Sequence, residues 1–286
     1  RKKCDSLFGR YHYYCLHPFS LHECLTEGRF PSFSDTDLFK DLTFRPASDA
    51  GLQFERLLTY GGFPEPYTKK SRLGLRRWHN DRLDLLVKDD IRSLEDVREV
   101  SVLMLLAQLL SQRVGSPLSV NALREELEVS HKAVSRWLTI LEMVYYCYRI
   151  YPYHRSVARA VKKEPKLYLW DWSEVENPGA GFENMIAGHL HKFVDFLRHC
   201  YGYRAELYYL RTLEKKEVDF LVVVDGKPWF AVEAKLSDDT PSKALSYFQD
   251  RLHIPFVYQV LRTTGIDYRS NNTRVISAEK FLTALI

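Results

Sequence analysis

Two apolar runs joined by an Asp-Gly pair limit most strictly what this chain can fold into. The runs are Glu217–Val224 and Trp229–Lys235. Short apolar runs on either side of Asp-Gly are typical of two antiparallel strands that are largely buried. Asp219, Glu233 and Lys235 stand inside this pattern, either as ordinary charges on an exposed strand face or as a site. The apolar neighbours of the two acids favour a site, because an unpaired buried carboxylate is costly.

The register of this hairpin decides whether the three side chains meet. Side chains alternate between the faces of a strand, so Glu233 and Lys235 point the same way, about 6–7 Å apart at the backbone. A two-residue loop would pair Asp219 with Val232 and leave Glu233 on the opposite face. A three-residue loop over residues 224–226, with glycine in the left-handed position, puts both acids on one face. We therefore predict a three-residue loop.

Two carboxylates beside a lysine are typical of metal-assisted phosphate chemistry. The carboxylates of Asp219 and Glu233, with the backbone carbonyl of Ala234, offer the hard oxygen ligands that Mg²⁺ or Mn²⁺ takes. A metal held there would lower the pKa of a bound water and neutralise charge on a scissile phosphate. Lys235 would position the attacking water or hold the phosphate. The sequence thus predicts a catalytic and metal-binding site at these residues.

The remaining pattern predicts a mixed α/β protein in three segments. Residues 1–95 mix short helices and loops, including a strand-like stretch at Tyr11–Leu16 and a break at Gly61–Pro64,. Residues 96–172 predict three helices followed by two strands, the order of a winged helix-turn-helix. Residues 179–286 predict a helix, three strands, a helix and a strand, then a short strand and a terminal helix.

The third helix of the middle segment is a candidate DNA-binding element. Ser130 would cap it, and an apolar stripe would face inward, leaving basic and polar residues toward solvent. The loop between the two strands would add a basic wing. The candidate nucleic-acid-binding residues are His131, Lys132, Ser135 and Arg136 on the helix and Arg159, Lys162 and Lys163 on the loop. DNA is the expected partner; the alternative is a winged helix that packs against another protein chain.

Charge, cysteine content and hydrophobicity limit the other kinds of site and partner that the chain can have. A formal net charge of +4 permits nucleic-acid contact without requiring it,. The five cysteines are scattered and form no C-x-x-C pair, so neither a zinc site nor a disulfide framework is expected,. The longest apolar run is too short to span a bilayer, so no membrane contact is expected. These features favour a cytoplasmic protein.

Short stretches along nearly the whole chain together carry a resemblance to a known family: Ser6–Arg10, Leu16–Ser20, Gly61–Pro64, Lys166–Tyr168, Asp171, Phe182–Asn184, Glu217–Phe220 and Glu233–Lys235. They resemble prokaryotic AAA-type ATPases that carry a C-terminal domain of unknown function similar to a PD-(D/E)xK nuclease. The resemblance implies that residues 1–95 are the end of an ATPase core with its helical lid, and that 179–286 form the nuclease-like domain. It also implies that Glu183 is an additional acid of the site. The alternative for Glu183 is a carboxylate that complements a helix dipole.

The chain departs from that family at the nucleotide site. No G-x-x-x-x-G-K-[ST] phosphate loop (Walker A) occurs in the sequence, nor does an acidic Walker B strand end precede Ser6,. We therefore expect an N-terminally truncated member without ATP binding or ATPase activity. The working hypothesis is a DNA-binding protein with a metal-dependent, nuclease-like domain. The alternative is a non-enzymatic regulatory or interaction protein that uses the winged helix and an inactive nuclease fold.

Overall fold

The computed structural model describes residues 12–26, 33–45, 47–85, 97–154 and 164–286. The helices, in chain order, are α1 (Leu21–Thr26), α2 (Ala50–Tyr60), α3 (Pro64–Lys69), α4 (Arg72–Leu85), α5 (Val97–Ser111), α6 (Val120–Glu126), α7 (His131–Met143), α8 (Pro178–Tyr201), α9 (Lys243–Leu252) and α10 (Ala278–Phe281). The strands are β1 (Cys147–Pro152), β2 (Lys166–Leu169), β3 (Ala205–Arg211), β4 (Glu217–Val224), β5 (Lys227–Lys235), β6 (Phe256–Leu261), β7 (Asp267–Ser270) and β8 (Thr273–Ser277). Arg159, Lys162, Lys163 and the stretch Ser6–Arg10 lie outside the described residues.

The described strands form one sheet in the order β2-β1-β3-β4-β5-β6-β8-β7. Strand β4 runs antiparallel to both of its neighbours, β3 and β5, whereas β5, β6 and β8 run parallel. The predicted mixed α/β class is therefore confirmed. The predicted strand at Tyr11–Leu16 is wrong, because residues 12–20 adopt no regular structure.

Capping side chains fix where several helices begin. The Ser119 side chain accepts the Ala122 N–H at the start of α6, and the Ser130 side chain accepts the Ala133 N–H at the start of α7. Helix α8 begins at Pro178 after an Asn cap and ends at Gly202, whose φ of 75° suits glycine,. These local signals set the lengths of the helices that carry the site.

Helix α7 turns its apolar stripe inward as predicted. Val134, Trp137, Leu138 and Leu141 are buried, while the basic residues of the helix stay exposed. Strand β1 follows this helix and pairs in parallel with β3 through Tyr151 and Tyr208. The middle segment thus shares one continuous sheet with the C-terminal segment.

The loop of the β4–β5 hairpin differs from the prediction. It contains two residues, not three: Val224 pairs with Lys227, and Asp225 and Gly226 between them have φ values of 49° and 76°. Two positive φ angles are typical of the tight type I′ turn that Asp-Gly favours.

A β-bulge restores the parity that this short turn would have lost. Val223 pairs with Pro228 and Val222 with Phe230, so Trp229 is an extra residue in β5. An extra residue shifts the register by one. Phe220 then pairs with Val232, and the next residue of β4, Asp219, accepts the backbone N–H of Ala234 in β5 with its carboxylate.

Helices cover both faces of the sheet. Helix α8 packs in the larger core, which includes Phe220, Val222 and Phe230. Helix α9 packs in a smaller core with Leu221 and Ala231. The sheet is therefore buried on both sides at β4 and β5, which explains why those strands are apolar nearly throughout.

The segment before α3 is tied to the rest of the molecule by hydrogen bonds. The Trp229 indole donates to the Lys40 carbonyl at 2.9 Å, and the Leu21 N–H donates to the His189 ring at 3.0 Å. Gly61 has a φ of 75°, and a Cβ there would lie 2.5 Å from the buried Asp171 carboxylate. The Gly-Gly break is therefore a close approach between α2 and the turn after β2.

Among the residues described, no helix combines the length and apolar character needed to cross a bilayer.

Candidate functional site

The bulged hairpin places two acids and a lysine together. Asp219 and Glu233 are 8% and 6% exposed. The Asp219 Oδ2 accepts the backbone N–H of Ala234 at 2.9 Å, which fixes that carboxylate against β5. The Lys235 ammonium lies 2.8 Å from the Glu233 Oε1. The predicted trio therefore shares one part of the sheet, by a turn and bulge that the sequence did not indicate.

A buried lysine, Lys166, lies among these acids at the start of β2. Its Nζ is 3.1 Å from Asp219 Oδ1, 3.1 Å from Glu183 Oε1 and 2.7 Å from Glu217 Oε1. The residue is 1% exposed. Burial alone would lower its pKa, but the charges of Asp219, Glu183 and Glu217 raise the pKa above the usual value,. Lys166 is thus the counterion of three carboxylates.

Glu183 joins the cluster from α8. Its Oε1 accepts hydrogen bonds from the Tyr168 hydroxyl at 2.7 Å and from Lys166 at 3.1 Å. Burial, followed by the charge of Asp219, raises the pKa of Glu183 to about 7. The alternative role for Glu183 was a carboxylate that complements the helix dipole, which acts only within the first turn. Glu183 lies beyond the first turn of α8, so this role does not account for it.

Glu233 has one oxygen that hydrogen bonds leave unsatisfied. Its Oε2 is buried and, among the described residues, has no hydrogen-bond partner. Burial, followed by the charge of Asp219, raises the pKa of Glu233 to about 7. A buried carboxylate oxygen without a partner is unfavourable unless it is protonated or meets a cation. This oxygen and those of Asp219 suit a hard cation such as Mg²⁺ or Mn²⁺.

The carboxylate oxygens of the acid cluster do not surround a single point. In the part of the chain that the structure describes, only Cys15, His17 and Asp195 bring three potential metal-ligand atoms within 4.8 Å of one another. In the acid cluster the Lys166 ammonium lies between carboxylates instead. A divalent cation held at Asp219 and Glu233 would therefore compete with Lys166 for Asp219.

Sequence reasoning missed three members of the cluster. Besides Lys166, these are Glu217 and Arg211, whose guanidinium is 3.1 Å from Glu217 Oε2. Glu217 stands two residues before Asp219, a spacing that could have placed it on the same strand face. Lys166 could have been noticed because it is a charged residue at the start of an otherwise apolar strand, Lys166–Leu169. The neighbouring sequence does not reveal which acids it contacts.

The candidate DNA-binding residues lie elsewhere, on α7. His131, Lys132 and Arg136 are exposed, and Ser135 is half-buried with its hydroxyl 3.4 Å from the His131 ring. The structure brings these four residues to one helix face but not into the acid cluster. Their role stays a prediction, and the three residues predicted on the wing lie outside the described chain.

Two family models match the chain. Residues 51–174 match a domain of unknown function (DUF8612). In the C-terminal part of the chain, residues 178–281 match a second domain of unknown function (DUF4143). No curated protein and no solved structure matched the chain.

The acid cluster draws on both matched regions. Lys166 lies within the DUF8612 match, whereas Glu183, Glu217, Asp219 and Glu233 lie within the DUF4143 match. The ion pairs of Lys166 therefore connect the two regions at the candidate site.

Proposed function

We propose that this protein binds DNA and hydrolyses phosphodiester bonds with a divalent cation held at Asp219 and Glu233. The observation that carries the proposal is the register of β4 and β5. It brings Asp219 against β5 beside the buried Glu233, with Lys235 paired to Glu233 and one Glu233 oxygen that has no hydrogen-bond partner among the described residues. Such a donor set suits Mg²⁺ or Mn²⁺ rather than a structural zinc.

Each side chain has a distinct part in the proposed reaction. Asp219 and Glu233 would hold the cation, with the Ala234 carbonyl as a further oxygen ligand. The cation would lower the pKa of a bound water and neutralise charge on the phosphate. Lys235, half-buried and paired with Glu233, would position that water or hold the phosphate,. Glu183 would serve as an additional acid, because Tyr168 and Lys166 hold its carboxylate within the cluster.

In the absence of the cation, Lys166 would supply the positive charge that neutralises the acids. Its ammonium neutralises Glu183, Glu217 and Asp219. When a divalent cation binds, Asp219 would exchange one positive partner for another. Three acids would otherwise repel one another in a buried setting, so the lysine keeps the site folded between binding events.

The wider assignment rests on the resemblance and on the exposed face of α7. We infer that the chain derives from an AAA-type ATPase with a PD-(D/E)xK-like C-terminal domain. Lys132 and Arg136 would contact DNA phosphates, and His131 or Ser135 would reach base edges. No phosphate loop is present in these 286 residues, so ATP would not be bound by that route.

A cleavage assay tests the proposal. The protein is incubated with single- and double-stranded DNA and RNA, with Mg²⁺, Mn²⁺ or EDTA. We expect metal-dependent cleavage of DNA that Asp219→Asn and Lys235→Ala reduce by about 100-fold or more, in line with the loss of one electrostatic group from an active site. The matched controls are Asp250→Asn on α9 and Lys227→Ala at the far end of β5, both exposed. Cleavage that survives both site variants would exclude this site.

The second candidate is a regulatory protein that binds DNA without cutting it. The Lys166 ammonium favours it, because a buried lysine that already neutralises three acids removes much of their attraction for a metal. Retained DNA binding with no cleavage in either metal would support this candidate and contradict the first.

A further inference from the structure

A second group of potential metal ligands lies apart from the acid cluster. Cys15 and His17 come from the irregular segment before α1, and Asp195 comes from α8. Their Cys Sγ, imidazole nitrogen and carboxylate oxygen all lie within 4.8 Å of one another. The side chains of His17 and Asp195 are 5% and 9% exposed. The group is therefore largely shielded from solvent.

One oxygen of Asp195 faces two imidazoles. Its Oδ2 is 2.8 Å from His17 Nε2 and 3.7 Å from His191 Nε2. Its other oxygen, Oδ1, accepts a hydrogen bond from Arg198 at 3.1 Å. Oδ2 would be the metal-binding oxygen once its hydrogen bond with His17 opens, while Arg198 holds Oδ1, as outer partners of metal ligands do.

Aromatic neighbours hold the two imidazole rings. The His191 ring stacks on Tyr148 with centroids 4.6 Å apart and an interplanar angle of 12°. The His17 ring lies 4.9 Å from the Trp170 ring. Rings fixed in this way lose little conformational freedom when they bind a ligand.

We propose that Cys15, His17 and Asp195 bind a Zn²⁺ ion that fastens the segment before α1 to α8, and that His191, which lies outside this close group of three but has its Nε2 3.7 Å from Asp195 Oδ2, moves in as the fourth ligand. Zinc takes sulfur, nitrogen and oxygen ligands tetrahedrally at about 2.0–2.3 Å, so its ligand atoms lie roughly 3.3–3.8 Å apart. The separation of His191 from Asp195 already has this value. The closer contact of His17 with Asp195 is a hydrogen bond that opens by about half an ångström to admit the ion. A thiolate and two imidazoles favour zinc over the hard cations expected at the acid cluster.

This site would be structural. Four protein ligands leave no open position for water, in contrast to catalytic zinc sites, which keep one. Residues 12–20 have no regular structure of their own, and a metal would join them to a helix about 180 residues further along the chain,. It is independent of the proposed nuclease function.

Metal titration of the 286-residue chain tests the proposal. After chelation, Zn²⁺ is returned and counted by mass spectrometry, and Co²⁺ is used as a spectroscopic probe. We expect one zinc per chain and a thiolate-to-cobalt charge-transfer band. Cys15→Ser should abolish the band and lower zinc affinity by more than about 100-fold, whereas loss of the outer partner in Arg198→Ala should cost roughly 10-fold.

Two controls identify the site. Cys200→Ser removes an exposed thiol at the end of α8, and Asp219→Asn alters the acid cluster. Both should keep the band and the zinc. Retention of the band in Cys15→Ser, its loss in either control, or the absence of zinc binding would each overturn the proposal. Circular dichroism of Cys15→Ser without metal checks that the variant is folded, and His17→Gln, which should also lose the zinc, replaces it if it is not.

Discussion

The Lys166 ammonium lies 3.1 Å from Asp219 Oδ1, across 53 residues of sequence. The contact joins the first residue of β2 to the third residue of β4, and it brings Glu183 and Glu217 to the same cation. A buried ion cluster of this kind gains little net stability when complete, but it becomes costly when one partner is removed.

Lys166→Met should therefore destabilise the protein by about 3–5 kcal/mol in EDTA, because three carboxylates are left without their counterion. Millimolar Mg²⁺ should restore part of that loss by taking the place of the ammonium. Urea unfolding with and without Mg²⁺ measures both effects. Lys227→Met, at an exposed position, should show neither. A Lys166→Met protein whose stability ignores Mg²⁺ would contradict the idea that metal and lysine share these oxygens.

The turn between β4 and β5 should tolerate only residues that accept a positive φ. Gly226 has a φ of 76° and open space around the position of a Cβ, so any cost of substitution comes from the backbone alone. Gly226→Val should destabilise by about 1–2 kcal/mol, whereas Gly226→Asn should cost less than half of this. Thermal unfolding compares the two. Equal losses would show that side-chain size, not backbone conformation, matters here.

Asp267 should make the protein's free energy of unfolding depend on pH in the acidic range. Hydrogen bonds from Arg274, at 2.8 and 2.9 Å, hold the pKa of Asp267 at about 2. A carboxylate with a lowered pKa contributes its stability above the unfolded value of about 4 and loses it as pH falls toward 2. Asp267→Asn should cost about 1 kcal/mol at pH 7, after allowance for solvent screening.

That cost should vanish near pH 2. Chemical denaturation of both proteins between pH 2 and pH 7 measures the difference. Asp250→Asn, which replaces an exposed aspartate on α9, is the matched control and should leave stability unchanged across the range. A cost for Asp267→Asn that does not change with pH would contradict the ion-pair origin.

The exposed face of α7 should control DNA affinity. Lys132→Glu combined with Arg136→Glu should weaken DNA binding by at least about 10-fold at low salt and reduce the slope of log affinity against log salt by about 2. Both side chains are exposed, so the variant should fold normally. Fluorescence anisotropy at several salt concentrations gives the slope. Lys227→Glu with Lys243→Glu makes the same charge change elsewhere on the surface; equal weakening would mean that only net charge matters.

The regular elements could be predicted because their causes are local. The predicted bounds of Glu217–Val224 are confirmed, as is the Ser130 cap of α7. Alternating or continuous apolar residues and capping side chains act over a few positions, so the sequence displays them directly. Strand β7 was missed, because its residues are polar and mostly exposed at the sheet edge.

The rest depends on contacts between distant residues. The bulge at Trp229 accompanies the bond from its indole to Lys40. The position of Lys166 depends on acids from three other elements. The absence of a C-x-x-C pair argued against zinc in the sequence, yet Cys15 and Asp195 meet only through the fold. Local patterns carry no information on such pairs.

The parallel pairing of β1 with β3 has a consequence for any nucleic acid that α7 holds. Strand β1 follows α7 within a few residues, and β3 is the neighbour of β4, which carries Asp219. One continuous sheet therefore links the strand that follows α7 to the strand that carries Asp219. If the protein cuts a strand anchored at α7, the product ends should fall at a fixed offset from the anchored nucleotide, giving fragments of nearly uniform length.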